Sequence, residues 1–257
     1  DFDPFDEDTD DLSFDAVSKE FDKNHIKILN KSIFMKKLKD GSHVVFSEKL
    51  IKTSYEHMIY IGLNKKGVEE EKNFISNWLK NNPNIRMKED VGIYPHDIEC
   101  PEDIYNLWVP FEMENIDEYT KNNDGLHYIL NHIKILCNHD NDVYDWFITW
   151  IAQMIQYPSV KTMCPIFISE EGAGKGSLMR LFEKLLGKKK VMETANPASD
   201  VWGPFNGQMA NCYLVCINEL ERRDTQSAEG KIKALITDTS LTINNKNVNQ
   251  YPVDSYH

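Results

Sequence analysis

The segment Ser169-Glu-Glu-Gly-Ala-Gly-Lys-Gly-Ser177 constrains this chain more than any other. A strand-length apolar run, Pro165-Ile-Phe-Ile168, comes directly before it. A helical pattern with Leu178, Leu181, Phe182, Leu185 and Leu186 on its inner side follows, closed by Gly187 as a C-cap. Strand, glycine-rich turn and helix form the setting that a phosphate-binding loop requires. Such a loop holds a polyphosphate with inward-pointing backbone N–H groups and a cation at the outer oxygens. Glycines allow the close approach, and the helix N-terminus adds the positive end of its dipole. The candidate nucleotide-binding residues are therefore Gly172, Ala173, Gly174, Lys175, Gly176 and Ser177. Two positions depart from the pattern G-x-x-x-x-G-K-[ST]. Ser169 replaces the first glycine, and Gly176 follows the lysine, so the hydroxyl that touches Mg²⁺ is displaced to Ser177 or missing. The bland alternative is an ordinary strand-to-helix turn with a solvated lysine.

Hydrolysis of a bound triphosphate also needs carboxylate at the end of a neighbouring strand. The apolar run Tyr213-Leu-Val-Cys-Ile217 ends in Asn218-Glu219, about forty residues after the loop. Glu219 is the candidate catalytic carboxylate, with Glu221 as a possible helper. Asn218 stands where an Asp is usual, so it can serve Mg²⁺ only as a neutral ligand or through water. Ser177, Asn218 and Glu219 are the candidate Mg²⁺ residues. Downstream, a helix is expected from about Ala228 to Thr237. Leu241–Ile243 and Val248–Tyr251 then flank the Asn-rich stretch 244–247, the pattern of a hairpin.

The rest of the chain is acidic. Its 257 residues carry a formal charge of −12, and the imbalance lies before Lys161, where 17 basic residues face 30 acidic ones. Asp1 to Asp11 alone holds seven acids, the composition of a solvated tail or linker. That charge argues against a protein that wraps duplex DNA over its whole surface, but leaves room for one local contact. No apolar run approaches the ~18 residues of a membrane span. The start lacks both an initiating Met and a basic leader, which points to a piece of a longer protein. Five dispersed cysteines (Cys100, Cys137, Cys164, Cys212 and Cys216) read as reduced thiols of an intracellular protein. His127, His132, Cys137 and His139 come nearest to a metal cluster, but their spacing fits no usual zinc pattern.

Periodicity predicts helices over Lys49–Ile61 and Lys72–Leu79, then a proline-rich connector from Asn81 to Phe111. Helical signal returns with Leu126, Ile129, Leu130, Ile133 and Leu136. It strengthens in Val143, Trp146, Phe147, Trp150, Ile151, Met154 and Ile155, whose tryptophans read as packing residues. The basic run Lys188–Lys190 complements a helix dipole. The expected organisation is an acidic tail (1–13), an N-terminal α+β module (14–110), a helical collar (111–160) and a nucleotide-binding core (161–257).

Three segments together carry a family likeness: SEEGAGKGS, Asp200-VWGPFNGQMANCYLVCINE-Leu220, and Ile232-KALITDTSLTINNKNVNQYP-Val253. This combination resembles superfamily 3 helicases, most of all the primase-helicases of nucleocytoplasmic large DNA viruses (poxvirus-type) and related virophage or plasmid proteins. The resemblance covers about Val17 to His257, and the Gly-Lys-Gly ending of the loop and the Asn-Glu pair both occur in that family. It implies an α/β P-loop ATPase core of the AAA+ kind, incomplete at its C-terminus, preceded by a mainly helical α+β module. The implied cofactors are ATP and Mg²⁺, and the implied partners are single-stranded or forked DNA and further copies of the chain in a ring, usually a hexamer. The same likeness implies that Lys246, on the hairpin, touches DNA. A primase domain upstream and a viral replication site inside a host cell are further implications. The family's sensor Asn and arginine finger fall beyond His257, and Arg222 and Arg223 are not read as that finger. Two rivals stand beside this reading: a nucleotide-binding assembly module without turnover, and a P-loop motor acting on duplex DNA.

Overall fold

Short apolar runs punctuated by capping side chains set the pattern of the N-terminal part. The computed structural model describes residues 12–218, 222–246 and 250–256, without the side chains of residues 81 and 222–228. The chain divides into two compact units. One comprises the residues up to Val91 with Pro101–Tyr105 and Asn245–Tyr251; the other comprises Gly92–Cys100, Asn106–Asn244 and the residues from Pro252.

In the first unit, the Ser13 hydroxyl accepts from Ala16 N and starts α1 (Phe14–Asn24). Strands β1 (His25–Ile28), β2 (Ile33–Lys37) and β3 (His43–Phe46) run antiparallel in a meander, with Ile26 opposite Met35 and Phe34 opposite Phe46. Ser47 caps α2 (Glu48–Ser54). The hairpin of β4 (Ile59–Leu63) and β5 (Glu69–Asn73) follows, and the Asn73 side chain caps α3 (Phe74–Asn81). Strand β6 (Met87–Lys88) adds parallel to β1, giving the sheet order β3-β2-β1-β6. Phe21, Phe34, Ile51, Tyr55, Phe74 and Trp78 form the centre of a core rich in edge-to-face aromatic pairs. The indole N–H of Trp78 donates to Asp22 at 3.0 Å, so even this buried ring leaves no polar atom stranded.

The expected helix over Lys49–Ile61 is not one element. It stops at Ser54, and Ile59–Leu63 is β4. Met58 and Ile59 fit a period of either 3.6 or 2, and the pairing of β4 with β5 decides the matter. The helix expected from Lys72 starts at Phe74, because Lys72 belongs to β5 and Asn73 is the cap.

The strands β7 (Asp90–Gly92) and β8 (Ile104–Asn106) lie where the division between the units falls. The second unit then runs through α4 (Asn123–Leu136) and α5 (Asn141–Gln156), the latter capped by Asp140. Next come α6 (Lys175–Leu186), β9 (Val191–Thr194), the short α7 (Pro197–Asp200) and β10 (Leu214–Ile217). The chain continues through α8 (Arg222–Thr237) to β11 (Ser240–Ile243) and β12 (Tyr251–Asp254), which pair with each other. Strands β9 and β10 are parallel, with Leu214 opposite Val191 and Ile217 opposite Thr194. Phe111, Ile133, Phe147, Leu178, Phe182 and Tyr213 anchor the core of this unit, and the Tyr213 hydroxyl donates to Met154 O at 2.8 Å.

The apolar run Pro165–Ile168 is a second correction. It forms no strand; Ile166 and Ile168 are 82% and 94% exposed, and only Phe167 turns in, edge-on to Phe147. Apolar composition makes a strand only where a neighbour supplies the ladder. Here β9 and β10 pair with each other, and among the described residues no strand pairs with 165–168. The two strands of the expected hairpin pair with each other, but the second begins at Tyr251, and residues 247–249 lie outside the described residues. The architecture is thus mixed α/β, built from small sheets.

Candidate functional site

The loop 169–174 leads straight into α6, whose N-cap is Gly174 in the left-handed region at φ 94°. Gly172 is also left-handed, at φ 75°. Both angles disfavour any side chain, so the glycines are there for backbone shape. Lys175, the first helical residue, folds back over the loop. Its Nζ donates to Ser169 Oγ at 2.6 Å and to the carbonyls of Ser169 and Glu170 at 3.3 Å each. The ammonium therefore sits in a nest of oxygen acceptors, the same class of partner that phosphate oxygens provide. Gly176 and Ser177 are exposed in the first turn of α6, and Ala173 is half-buried.

A residue outside the motif braces this loop. His132, on α4, hydrogen-bonds through Nε2 to the Gly174 carbonyl at 3.0 Å. A Cβ built on Gly174 would stand 2.2 Å from His132 Cε1, so the imidazole occupies the room that any other residue would need. In the sequence His132 stands out only through its place in the His/Cys cluster, because a contact across 42 residues leaves no local signal.

Asn218 lies just past β10 and continues its ladder, its N–H donating to Thr194 O at 2.8 Å. Its side-chain amide donates to Glu193 Oε1 at 2.6 Å, and among the described residues its Oδ1 accepts a weak 3.4 Å bond from the Cys216 thiol. Glu193, on β9, is a carboxylate that no sequence motif singles out. It also helps burial push the Cys216 thiol up to about 11, which keeps the sulfur protonated and able to donate. Glu219, the expected catalytic carboxylate, lies outside the described residues, as does Glu221. Among the described residues, the bonds around the loop and those around Asn218 share no residue.

Lys246 is exposed beyond β11. The base of its hairpin is held by Asn206, whose Nδ2 donates to Thr242 O at 3.0 Å and whose Oδ1 accepts from Asn244 N at 2.9 Å. Asn244 Nδ2 also donates to Pro204 O. The segment 200–211 therefore anchors the hairpin. Lys161 fixes the other side: its Nζ donates to the carbonyls of Leu235 and Asp238, at the end of α8, and to Ser255 Oγ beyond β12.

The basic run departs from its expected role at one position. Lys188 and Lys189 are exposed, but Lys190 is buried, with its Nζ 3.5 Å from the centre of the Trp108 ring. Burial pulls its ammonium down to about 7, against the opposing pull of Cys212 and the Glu114 carboxylate.

Residues 167–257 match a protein family described as of unknown function, DUF5906. The match takes in the glycine-rich loop, β10 and the hairpin. Over 124 residues, 47% of this chain, the sequence is 27% identical to the DNA primase-polymerase of Nitratiruptor phage NrS-1. The fold is that of solved structures of the NrS-1 C-terminal region, at 19% identity. One apo structure superimposes with a TM-score of 0.65 over 97% of this chain, and a second with 0.63 over 95%. The chain spans 56% and 54% of the length of those two structures. Its sequence match covers 17% of the phage primase-polymerase.

Proposed function

We propose that this chain is the nucleotide-driven part of a viral-type DNA replication protein, an ATP-dependent helicase of superfamily 3 character. The observation that carries the reading is the loop at the head of α6: two left-handed glycines bend the backbone, and Lys175 is held among oxygen acceptors at the helix N-terminus. The similarity to a phage primase-polymerase supports a role in replication, and with it an intracellular viral setting.

In this reading, ATP enters the loop and its phosphate oxygens take over Lys175 from Ser169 and Glu170. The amides at the start of α6 and the lysine together neutralise the phosphates. Ser177, Asn218 and Glu219 would hold Mg²⁺. The exposed Ser177 hydroxyl and the weakly engaged Asn218 Oδ1 suit that ion. When bound, Mg²⁺ supplies further charge neutralisation to the phosphates. Glu219 would orient and deprotonate the attacking water. Subunits would assemble in a ring, a hexamer in the family resembled, with Lys246 of each subunit set against the phosphates of single-stranded DNA. No described helix is long and apolar enough to cross a membrane.

One observation favours a second reading. Position 218 carries an amide where a carboxylate is usual, and that amide is committed to Glu193 Oε1. A module that binds nucleotide and assembles without turnover would need no carboxylate there. Steady-state ATPase of the parent-length protein, with and without single-stranded DNA, separates the two. DNA-stimulated turnover that falls roughly 100-fold or more in Lys175→Ala is the expected result. Nucleotide binding with turnover no greater than that of the variant would sink the helicase reading and leave the assembly module.

A further inference from the structure

The back of the loop is as ordered as its mouth. The Gly174 carbonyl accepts from three groups: Ser177 N at 3.0 Å, Leu178 N at 3.4 Å and His132 Nε2 at 3.0 Å. The first two are the opening bonds of α6, and the third comes from a different helix. A carbonyl oxygen can only accept, so the His132 proton in this contact is on Nε2. The Gly174 carbonyl and the Lys175 N–H belong to one planar trans peptide, and they point in opposite directions. Whatever holds the carbonyl toward α4 and α6 therefore aims the Lys175 N–H out of the helix end, toward the open side of the loop.

Gly174 needs such a brace. At φ 94° its backbone lies in a region where glycine is free to move, and glycine has the most conformational freedom to lose on ordering. The imidazole fills the space where a side chain would be, so it limits that freedom sterically as well as by hydrogen bonding.

We infer that His132 is a positioning residue for the phosphate loop. By fixing the Gly174–Lys175 peptide from behind, it sets the direction of an amide that meets the phosphates, without touching nucleotide itself. The inference rests on the reading of this loop as a nucleotide site and adds to it a dependence on α4. It also gives α4 a mechanical connection to the loop, through which displacement of that helix would alter nucleotide affinity.

The test is ATP affinity, measured by equilibrium dialysis on the parent-length protein. It compares the natural protein with His132→Leu, His132→Gln and Lys175→Ala, each checked for its melting temperature. The Gln side chain can place its amide nitrogen near the position of Nε2, whereas Leu has no donor. His132→Leu is expected to weaken ATP binding about tenfold, the effect of losing one ordinary hydrogen bond. His132→Gln is expected to recover most of that loss. If His132→Leu binds like the natural protein while Lys175→Ala does not, the role of His132 is overturned and the nucleotide site stands. If Leu and Gln weaken binding equally, the donor is not what matters, and His132 is a packing residue only. If Lys175→Ala binds ATP unchanged, the nucleotide site itself falls and takes this inference with it.

Discussion

The two units place their most ordered polar groups to different ends. In the first, His25 is buried at the centre of the core, stacked on Phe21 at 3.7 Å. Its Nδ1–H donates to Phe21 O, and its Nε2 accepts from the Tyr55 hydroxyl, each at 2.8 Å. That pair of bonds is closed, with both ring nitrogens satisfied by the protein. In the second unit Lys175, only half-buried, is held by the exposed Ser169 and Glu170 of its own loop. Large apolar side chains stay open there too, Ile166 and Ile168 among them. Polar groups that are satisfied internally make a scaffold. Polar groups whose partners can be exchanged make a site.

The sharpest way to break that contrast is to damage the scaffold alone. Trp78→Ala should remove about 3–5 kcal/mol from the first unit, read as a lowered urea midpoint, because the ring is fully buried among aromatic neighbours. A fall of under ~1 kcal/mol would show that this core tolerates a void.

Acid should find the same unit next. Burial, aided by the nearby Lys36 ammonium, holds the His25 imidazole down to about 4, from 6.5. Between those values the unfolded chain binds the proton and the folded one does not. Stability is therefore full above pH 6.5 and declines as the pH falls toward 4, by about 3 kcal/mol in all. Urea midpoints across pH 4–7 would reveal it, and an NMR titration placing His25 near 6.5 would refute it.

In the second unit, Lys161→Met keeps the stem but loses three hydrogen bonds at the end of α8 and beyond β12. A loss of about 1–3 kcal/mol is expected. Hydrogen exchange should quicken in β12 before it changes in α6. Under the proposed helicase reading the smallest effect belongs to Lys246→Ala: unchanged melting, and a salt dependence of DNA binding shallower by about one counterion per subunit. An unaltered slope would remove Lys246 from the proposed contact.

Much of this structure was legible where the cause is local. The helices that carry Ile129 and Ile133, Trp146 and Trp150, and Leu178 and Phe182 follow from a 3.6-residue apolar period within each segment. The positive φ values at Gly172 and Gly174, the start of α6 and strand β10 follow from residues adjacent in sequence. Where two periods fitted the same residues, as at Met58 and Ile59, sequence could not arbitrate. Where an apolar run lacked a partner, as at Pro165–Ile168, composition misled.

What the sequence by itself determined is the glycine-rich turn into α6 and those helices whose apolar period was unambiguous. Capping, glycine backbone freedom and hydrophobic period all act over a few residues. The tertiary structure alone decided the rest: that His132 stands behind Gly174, that Asn218 is bonded to Glu193, that Lys190 turns in over Trp108, and that Asn206 holds the hairpin. Each of these joins positions far apart along the chain. A hydrogen bond or ring contact depends on distance in space, which only the packed fold fixes.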